Sequence, residues 1–237
     1  MTVEAQQRLP RALVVLLDVD NTLLDNDTVA GDLSEHLARR FGTERRDRYW
    51  AIFEQLRVEL GYADYLGALQ RYRREVPEDS HLLRVSGFLL DYPFAERLYP
   101  GALAAIAHLR RLGPTVILSD GDVVFQPRKI ERSGLWDAVH GQVLVYVHKE
   151  QMLETVARLY PAHHYLLVDD KLRILAAVKQ QWGERVTCVF VRQGHYARDP
   201  AILAAYPAAD LSVGGIGELA GYDIRALSLA GAGRSPP

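Results

Sequence analysis

The sequence predicts an α/β protein, and two observations predict it. Short apolar runs that end in polar residues alternate with amphipathic segments beyond residue 97, a pattern typical of a parallel sheet with right-handed helical crossovers. Another apolar run, at residues 13–17, lies far upstream, and the stretch between contains no convincing strand. We therefore expect a Rossmann-like parallel-sheet core, residues 1–23 and 97–237, with an inserted all-helical domain, residues 24–96.

Composition narrows the class of protein. The 237 residues suffice for a sizeable core plus an insertion, and 49% hydrophobic with 24% charged residues is ordinary for a soluble protein. A net charge of −2 gives no argument for a nucleic-acid or membrane partner. Cys188 is the single cysteine, so no intramolecular disulfide forms, and its apolar surroundings predict an inert core thiol. The first apolar run stops at Asp18, too short to span a bilayer, and we expect a cytoplasmic protein.

The first element is a strand followed by two carboxylates. Five consecutive apolar residues, Leu13–Leu17, run directly into Asp18 and Asp20. Such a run is typical of a strand buried on both faces, and its carboxyl end is where open α/β folds place their ligands. Two ionised carboxylates so close repel each other, and a divalent cation with oxygen ligands is the simplest partner. The alternative is an Asx-rich turn that merely ends the strand.

The insertion is predicted to contain four helices. Apolar residues recur at helical spacing in each of them, and they are expected at Thr28–Arg40, Glu44–Leu60, Ala63–Glu75 and Asp79–Leu90. Asp27 or Thr28 is the expected cap of the first, and Asp79 or Ser80 of the last. The insertion is rich in arginine. We favour the interpretation that these arginines lie on solvated helix faces; the alternative is that they attract an anionic substrate.

The core continues as alternating strands and helices. Further strands are expected at Thr115–Leu118, Val143–Val147, His164–Val168, Val186–Val191 and Leu211–Val213. The helices expected between them are Ala102–Arg111, Val124–Arg132, Lys149–Tyr160 and Leu172–Trp182. Residues 230–237 are rich in Gly, Ser and Pro and are expected to be disordered.

Further polar residues follow the later strands. Ser119, with Asp120 and Gly121, ends the second strand, and the pair Asp169 and Asp170 ends a later one. Lys149 stands at a predicted helix start, an electrostatically poor place for a cation. His195 also follows a strand; an ordinary loop residue is the favoured reading, and a position at the rim of a site is the other.

In this order the residues resemble the motifs of the haloacid dehalogenase (HAD) superfamily, which is dominated by magnesium-dependent phosphohydrolases. Asp18, Asp20 and Thr22 match the first motif, Ser119 the second, Lys149 the third, and Asp169 with Asp170 the fourth. The helical insertion sits where C1 caps sit, directly after the first motif. The chain is therefore similar to the C1-capped, phosphatase-like branch.

The resemblance implies a role for each matched side chain. Asp18 would be the nucleophile that forms an aspartyl phosphate, and Asp20 the general acid and then base. Ser119 would hold the phosphoryl group, helped by the backbone N–H groups of Asp120 and Gly121. Lys149 would bind and neutralise the phosphoryl group. Thr22 is expected to be structural.

The resemblance also implies a Mg²⁺ cofactor. Its ligands would be the Asp18 side chain, the Asp20 backbone carbonyl and one of Asp169 and Asp170, of which Asp170 aligns with the family's metal-binding position. The sequence departs from the family pattern at three points. Arg173 and Ile174 stand where a further acid is usual, Asn21 where Gly is common, and Glu150 where Pro is common.

The expected function is magnesium-dependent hydrolysis of a small, anionic phosphomonoester. A phosphomutase, a 2-haloacid dehalogenase and a non-catalytic HAD-like binding or regulatory protein are the alternatives. Asp20 argues against the dehalogenase, which does not need a general acid at that position. The sequence names neither the substrate nor the oligomeric state.

Overall fold

The computed structural model describes residues 9–79 and 81–223, and within them the chain forms one six-stranded, all-parallel sheet in the order β3-β2-β1-β4-β5-β6. The strands are β1 (Arg11–Leu17), β2 (Thr115–Asp120), β3 (Val143–Tyr146), β4 (Ala162–Asp169), β5 (Val186–Val191) and β6 (Leu211–Val213). The predicted α/β, Rossmann-like fold is confirmed. The expected cap at Ser80 and the expected disorder of residues 230–237 fall outside the described residues.

Strand β1 lies at the centre of the sheet, and its apolar run explains why. Leu17 pairs with Ile117 of β2 on one side and with Val168 of β4 on the other. Successive side chains point to opposite faces of a strand, so Val15 and Leu17 pack in one hydrophobic core and Val14 and Leu16 in the other. The carboxyl ends of β1, β2 and β4 therefore meet at one edge.

Helices cover both faces of the sheet. In the core they are α5 (Ala102–Leu109), α6 (Phe125–Arg132), α7 (Leu135–Ala138), α8 (Leu153–Leu159), α9 (Leu172–Trp182) and α10 (Pro200–Ala205). The predicted helix from Lys149 is interrupted: a 3₁₀ turn spans Lys149–Gln151 before α8 begins. The Lys149 backbone N–H donates to Asp120 Oδ1 (2.8 Å), which fixes this residue against β2.

The insertion consists of helices α1 (Asn26–Phe41), α2 (Thr43–Leu60), α3 (Tyr65–Glu75) and α4 (Leu82–Leu90), followed by a 3₁₀ turn at Phe94–Arg97. The prediction that Asp27 or Thr28 caps α1 is wrong. Asp25 is the cap, because its Oδ1 accepts the Thr28 backbone N–H at 2.9 Å.

The two segments that connect the core to the insertion pair with each other through backbone hydrogen bonds. Leu24 and Leu98 form an antiparallel bridge. The Asp25 backbone N–H donates to the Arg97 carbonyl (2.7 Å), and the Tyr99 N–H donates to the Leu23 carbonyl (2.9 Å). This pairing supports the expected division at residues 24 and 96, which stays a prediction.

Across the described residues, no helix combines the length and apolarity that crossing a bilayer would require.

Candidate active site

The candidate site begins at Asp18, directly after β1. Its side chain is buried, and each of its carboxylate oxygens accepts a hydrogen bond. Lys149 Nζ donates to Oδ1 at 2.5 Å, and Thr22 Oγ1 donates to Oδ2 at 2.9 Å. The carboxylate is thus fixed in orientation at the edge where the strand ends.

Lys149 joins two carboxylates. Besides Asp18, its Nζ lies 2.6 Å from Asp169 Oδ2, and the lysine is buried. Burial alone would lower the pKa of Lys149, but Asp169 and Asp18 together raise it well above its usual value. Burial raises the pKa of Asp18, but the stronger combined effect of Lys149, Lys171 and Thr22 lowers it. Asp18 is therefore held as a carboxylate and Lys149 as an ammonium.

Asp169 and Asp170 differ in how their oxygens are satisfied. Asp169 Oδ1 accepts the Lys171 backbone N–H at 2.9 Å, and Oδ2 faces Lys149. Both oxygens of Asp170 are buried and have no hydrogen-bond partner among residues 9–79 and 81–223. Burial raises the pKa of Asp169 to about 6 and that of Asp170 well above its usual value. Asp170 thus has two acceptor atoms available for a ligand.

These carboxylates fit a divalent cation. One oxygen from each of Asp18, Asp169 and Asp170 can be chosen so that the three lie within 4.8 Å of one another. Buried carboxylates without partners are costly unless a cation balances them, and carboxylate oxygens are hard ligands that suit Mg²⁺. The donor set therefore fits the metal that the resemblance implies.

Asp20 is held by two residues that sequence reasoning missed. Lys129 Nζ lies 2.8 Å from Asp20 Oδ1 and 3.0 Å from Oδ2, and it donates to Asn26 Oδ1 at 3.0 Å. Gln126 Nε2 lies 3.4 Å from Asp20 Oδ2. Both residues are buried on α6. Their i, i+3 spacing was visible in the sequence, but a lysine in a helical pattern is normally assigned to the solvated face.

The loop after β2 agrees only in part with the expectation. Ser119 is buried, and its Oγ accepts from Gln126 Nε2 at 2.9 Å. The Gly121 N–H was expected to face the phosphoryl group, and this is wrong: it donates to the Tyr146 carbonyl at 2.9 Å and continues the β2–β3 pairing. Gly121 is required for another reason, since a Cβ there would lie 2.6 Å from the Gln126 Cβ. Asp120 directs its carboxylate to the Lys149 N–H.

Two of the departures from the family pattern compensate each other. Arg173 Nη1 donates to Glu150 Oε1 at 2.7 Å, so the residue in place of an acid pairs with the residue in place of proline. The third departure is also accommodated. Asn21 has a positive φ of 61°, and its Oδ1 accepts the backbone N–H groups of Asn26 and Asp27 at 3.0 and 3.2 Å. Asn tolerates this left-handed conformation better than most residues.

A cavity of about 550 Å³ lies between the insertion and the core. Asp20 and Lys171 line it on the core side, and Trp50, Phe53 and Tyr65 line it on the insertion side. His195 also lines it, which supports the interpretation as a residue at the rim of the site over that as an ordinary loop residue. The volume is within the range of pockets that enclose small-molecule ligands.

The remaining sequence candidates have structural roles. Six arginines of the insertion are paired with acids, which supports their interpretation as solvated helix faces; the pairs are Arg39–Glu35, Arg45–Asp79, Arg46–Asp47, Arg48–Glu75, Arg57–Glu54 and Arg71–Glu59. Cys188 is buried, and burial raises the pKa of its thiol to about 12, so it is not a nucleophile.

Comparisons with known proteins agree with this geometry. Residues 13–180 match the model of the haloacid dehalogenase-like hydrolase family. A haloacid dehalogenase-like hydrolase from Burkholderia xenovorans LB400 is 64% identical, with 90% of this chain and 100% of that chain covered and a TM-score of 0.88. No curated protein gives a significant match.

More distant solved structures share the fold. The L-2-haloacid dehalogenase PA0810 is 21% identical, with a TM-score of 0.63 over 92% of this chain and 100% of that one. The HAD-hydrolase YfnB from Bacillus subtilis, solved bound to magnesium, is 16% identical, with a TM-score of 0.57 over 88% of this chain and 97% of that one.

Proposed function

The chain belongs to the haloacid dehalogenase-like hydrolase family, and we propose that it is a magnesium-dependent phosphomonoester hydrolase. Its substrate is a small phosphorylated metabolite, and its intermediate is an aspartyl phosphate on Asp18. The observation that carries the proposal is the cluster of three buried carboxyl groups, Asp18, Asp169 and Asp170, with one oxygen of each within 4.8 Å of the others. Asp170 has two partnerless buried oxygens there, and phosphoryl transfer is the family chemistry that uses a cation at this place.

Asp18 is suited to attack phosphorus. Its orientation is fixed by Lys149 and Thr22, which reduces the entropy cost of reaching the reactive geometry. The oxygen of Asp18 forms a bond to phosphorus as the bond to the alcohol oxygen breaks. Water then attacks the aspartyl phosphate, releasing inorganic phosphate and restoring the carboxylate.

Asp20 is placed for proton transfer to the leaving alcohol and then from the water. It lines the cavity, and its side chain is partly exposed, in contrast to buried Asp18. Lys149 adds positive charge where the transferring group passes. Ser119, held by Gln126, would orient a phosphoryl oxygen.

The residues that would hold Mg²⁺ are Asp18 and Asp170 through their carboxylates and Asp20 through its backbone carbonyl. When bound, the metal supplies positive charge that neutralises phosphoryl oxygens. Asp169 acts on the site indirectly, because one of its oxygens faces Lys149 and the other accepts a backbone N–H.

A 2-haloacid dehalogenase is the second candidate, because several solved dehalogenases share the fold. One of them, from Xanthobacter autotrophicus, has chloropropionic acid covalently bound and is 19% identical to this chain. Displacement at carbon needs neither a general acid at Asp20 nor a cation beside Asp170. A phosphomutase would keep both aspartates, and transfer to a second acceptor instead of water would distinguish it.

We further propose that α1–α4 form a C1-type cap that closes over the cavity and excludes water. The paired connections at Leu24 and Leu98 provide a narrow hinge. Structures with and without a phosphate analogue test this, and identical cap positions in both would contradict it.

The proposed activity is tested with a chromogenic phosphate ester, with Mg²⁺ and with a chelator, in parallel with chloride release from 2-chloropropionate. We expect magnesium-dependent phosphate release and no chloride. Asp18→Asn should abolish phosphate release, while the matched control Asp137→Asn, at an exposed position on α7, should retain it. Turnover by folded Asp18→Asn, or release that is insensitive to the chelator, would refute the proposal.

A further inference from the structure

The cationic groups around the cavity are, with one exception, paired with acids. Two arginines of its wall each lie 2.7 Å from a carboxylate, Arg57 from Glu54 and Arg173 from Glu150. The His195 ring, also in the wall, lies 2.6 Å from Asp27 Oδ1. These pairs leave no net positive charge in the wall for a second anionic group of a ligand. An additional carboxylate or phosphate on the substrate would have to displace an existing partner.

Lys171 is the exception. Within the described part of the chain it makes no ion pair shorter than 4.0 Å, and its Nζ lies 5.5 Å from the Tyr196 ring centroid. Burial alone would lower the pKa of Lys171, but Asp170 and Asp18 raise it, so its charge acts on the same acids that surround the proposed phosphoryl position. It directly follows Asp170 and lines the cavity, so its positive charge lies at the end of the cavity where the phosphoryl group would bind. The cavity thus offers charge for one phosphoryl group.

The opposite wall is aromatic. Trp50 and Phe53 on α2 have ring centroids 5.1 Å apart, and Phe53 and Tyr65 have centroids 4.7 Å apart. Trp50 is partly exposed, while Phe53 and Tyr65 are buried. An aromatic ligand ring packs favourably against such a cluster in offset or edge-to-face geometry.

We propose that the substrate is a phosphomonoester whose alcohol part is uncharged and carries an aromatic ring. This rests on the proposed phosphatase function and specifies its substrate class. The phosphoryl group lies between Asp18 and Lys171, and the ring lies against Trp50. Phosphomonoesters that carry a carboxylate or a second phosphate are poor substrates.

The test compares alkyl esters of similar leaving-group chemistry: 2-phenylethyl phosphate, ethyl phosphate and 2-phosphoglycolate. We expect kcat/KM for the aromatic ester to exceed the other two by about tenfold or more. Trp50→Ala should reduce the ratio of aromatic to ethyl ester. The matched control Trp136→Ala, on α7 and outside the cavity wall, should leave the ratio unchanged.

Acetyl phosphate tests the phosphatase function separately from the proposed substrate class, because it is reactive and has no aromatic ring. If it is not hydrolysed with Mg²⁺, the phosphatase function itself fails. If it is hydrolysed but 2-phosphoglycolate is used as well as the aromatic ester, only the substrate class is overturned. An unchanged ester ratio in Trp50→Ala also overturns the substrate class.

A separate observation concerns Lys129. This buried lysine contacts three parts of the molecule: Asp20 after β1, Asn26 at the start of the insertion, and the ring of Tyr65 on α3, whose centroid is 5.9 Å from Nζ. Asn26 Nδ2 in turn donates to the Tyr65 hydroxyl at 3.1 Å. The lysine therefore links the Asp20 carboxylate to the first residue of α1.

We infer that Lys129 is a positioning residue for Asp20. It fixes the carboxylate relative to the leaving group, and its bond to Asn26 ties that position to the placement of α1. A buried lysine that served packing alone would affect folding but would not distinguish between substrates by their leaving groups.

The readout is the leaving-group dependence of kcat. Lys129→Met should reduce kcat for ethyl phosphate more than for p-nitrophenyl phosphate, because a good leaving group needs little help from an acid. KM should change little. Lys129→Arg, which keeps the charge, should retain more of kcat for ethyl phosphate than Lys129→Met, and the control Arg128→Met, on the exposed side of α6, should resemble the wild type.

If Lys129→Met does not fold, Asn26→Ala removes one contact and leaves the ion pair intact. It should show a smaller loss with the same leaving-group dependence. Equal losses on both esters in either variant, or a change confined to KM, would overturn the positioning role.

Discussion

Lys149 neutralises the buried aspartates beside it. Replacing it is therefore the most informative test of how this charge contributes to the free energy of unfolding. Lys149→Met keeps the length of the side chain but leaves Asp18 and Asp169, both within 2.6 Å of the ammonium, without their shared counter-ion. Asp170 is already without a partner. The substitution thus leaves three buried acids close together.

The magnitude follows from burial. Lys149 and Asp169 are 1% and 0% exposed in their side chains, so water screens this pair little. Removing one partner of a buried ion pair costs about 3–5 kcal/mol, because the other charge stays buried and unpaired. A typical domain has a free energy of unfolding of about 5–15 kcal/mol, so the variant should fold but with a large loss.

The assay is urea unfolding without divalent cations, in which the wild type, Lys149→Met and Lys149→Met/Asp169→Asn are compared. The double variant should recover part of the loss, because one of the stranded charges is gone. Lys179→Met is the control, since Lys179 is about one-third exposed in its pair with Asp210 and should cost about 1 kcal/mol or less. A loss below about 1 kcal/mol for Lys149→Met would refute the argument that this lysine neutralises the cluster.

Three further outcomes are expected. Asp170→Ala should weaken Mg²⁺ binding in calorimetric titration more than Asp169→Ala, because neither oxygen of Asp170 has a hydrogen-bond partner, whereas Asp169 faces Lys149 with one oxygen and accepts a backbone N–H with the other; the reverse order would assign the metal to Asp169. Burial, then Lys179, lowers the pKa of His164 in the folded protein, so the unfolded chain binds the proton first and stability falls as the pH drops below about 6.5. His164→Gln should flatten that part of the stability curve, and an unchanged curve would remove His164 as its source. Gly101→Ala should cost at least about 1 kcal/mol in urea unfolding, since φ is +80° and a Cβ would lie 2.6 Å from the Gly217 Cα; a neutral effect would mean that the backbone relaxes.

Sequence patterns predicted the sheet well because its strands are buried on both faces. Val186–Val191 and Leu211–Val213 were placed with the bounds that the structure gives, as was helix α9. A continuous apolar run between polar turns identifies such a strand from local information alone. The prediction was less accurate where a distant side chain decides the local structure, as at Lys149, whose N–H bonds to Asp120 in another strand.

The acidic residues of the candidate site could be predicted from the sequence, but the lysines that neutralise them could not. Asp18, Asp169 and Asp170 stand out because paired acids follow apolar strands. Lys129 and Lys171 carry no such signal, since a lysine in a helix or after a strand is usually solvated. Only the fold brings Lys129 to Asp20, which is 109 residues away in the sequence.

The paired connecting segments at Leu24 and Leu98 make the insertion a structural unit that can change independently of the core. Its two ends lie side by side and are joined by backbone hydrogen bonds. The core therefore requires only that these two ends stay paired, and it does not depend on the length or sequence of the chain between them. Because the entropy of closing a loop grows only slowly with its length, helices in the insertion can be lengthened, lost or exchanged at little cost to the sheet. A different insertion on the same two connections would present different side chains to an unchanged Asp18. Under the proposed role of the insertion as a cap, this is a route by which substrate preference can diverge while the chemistry stays the same.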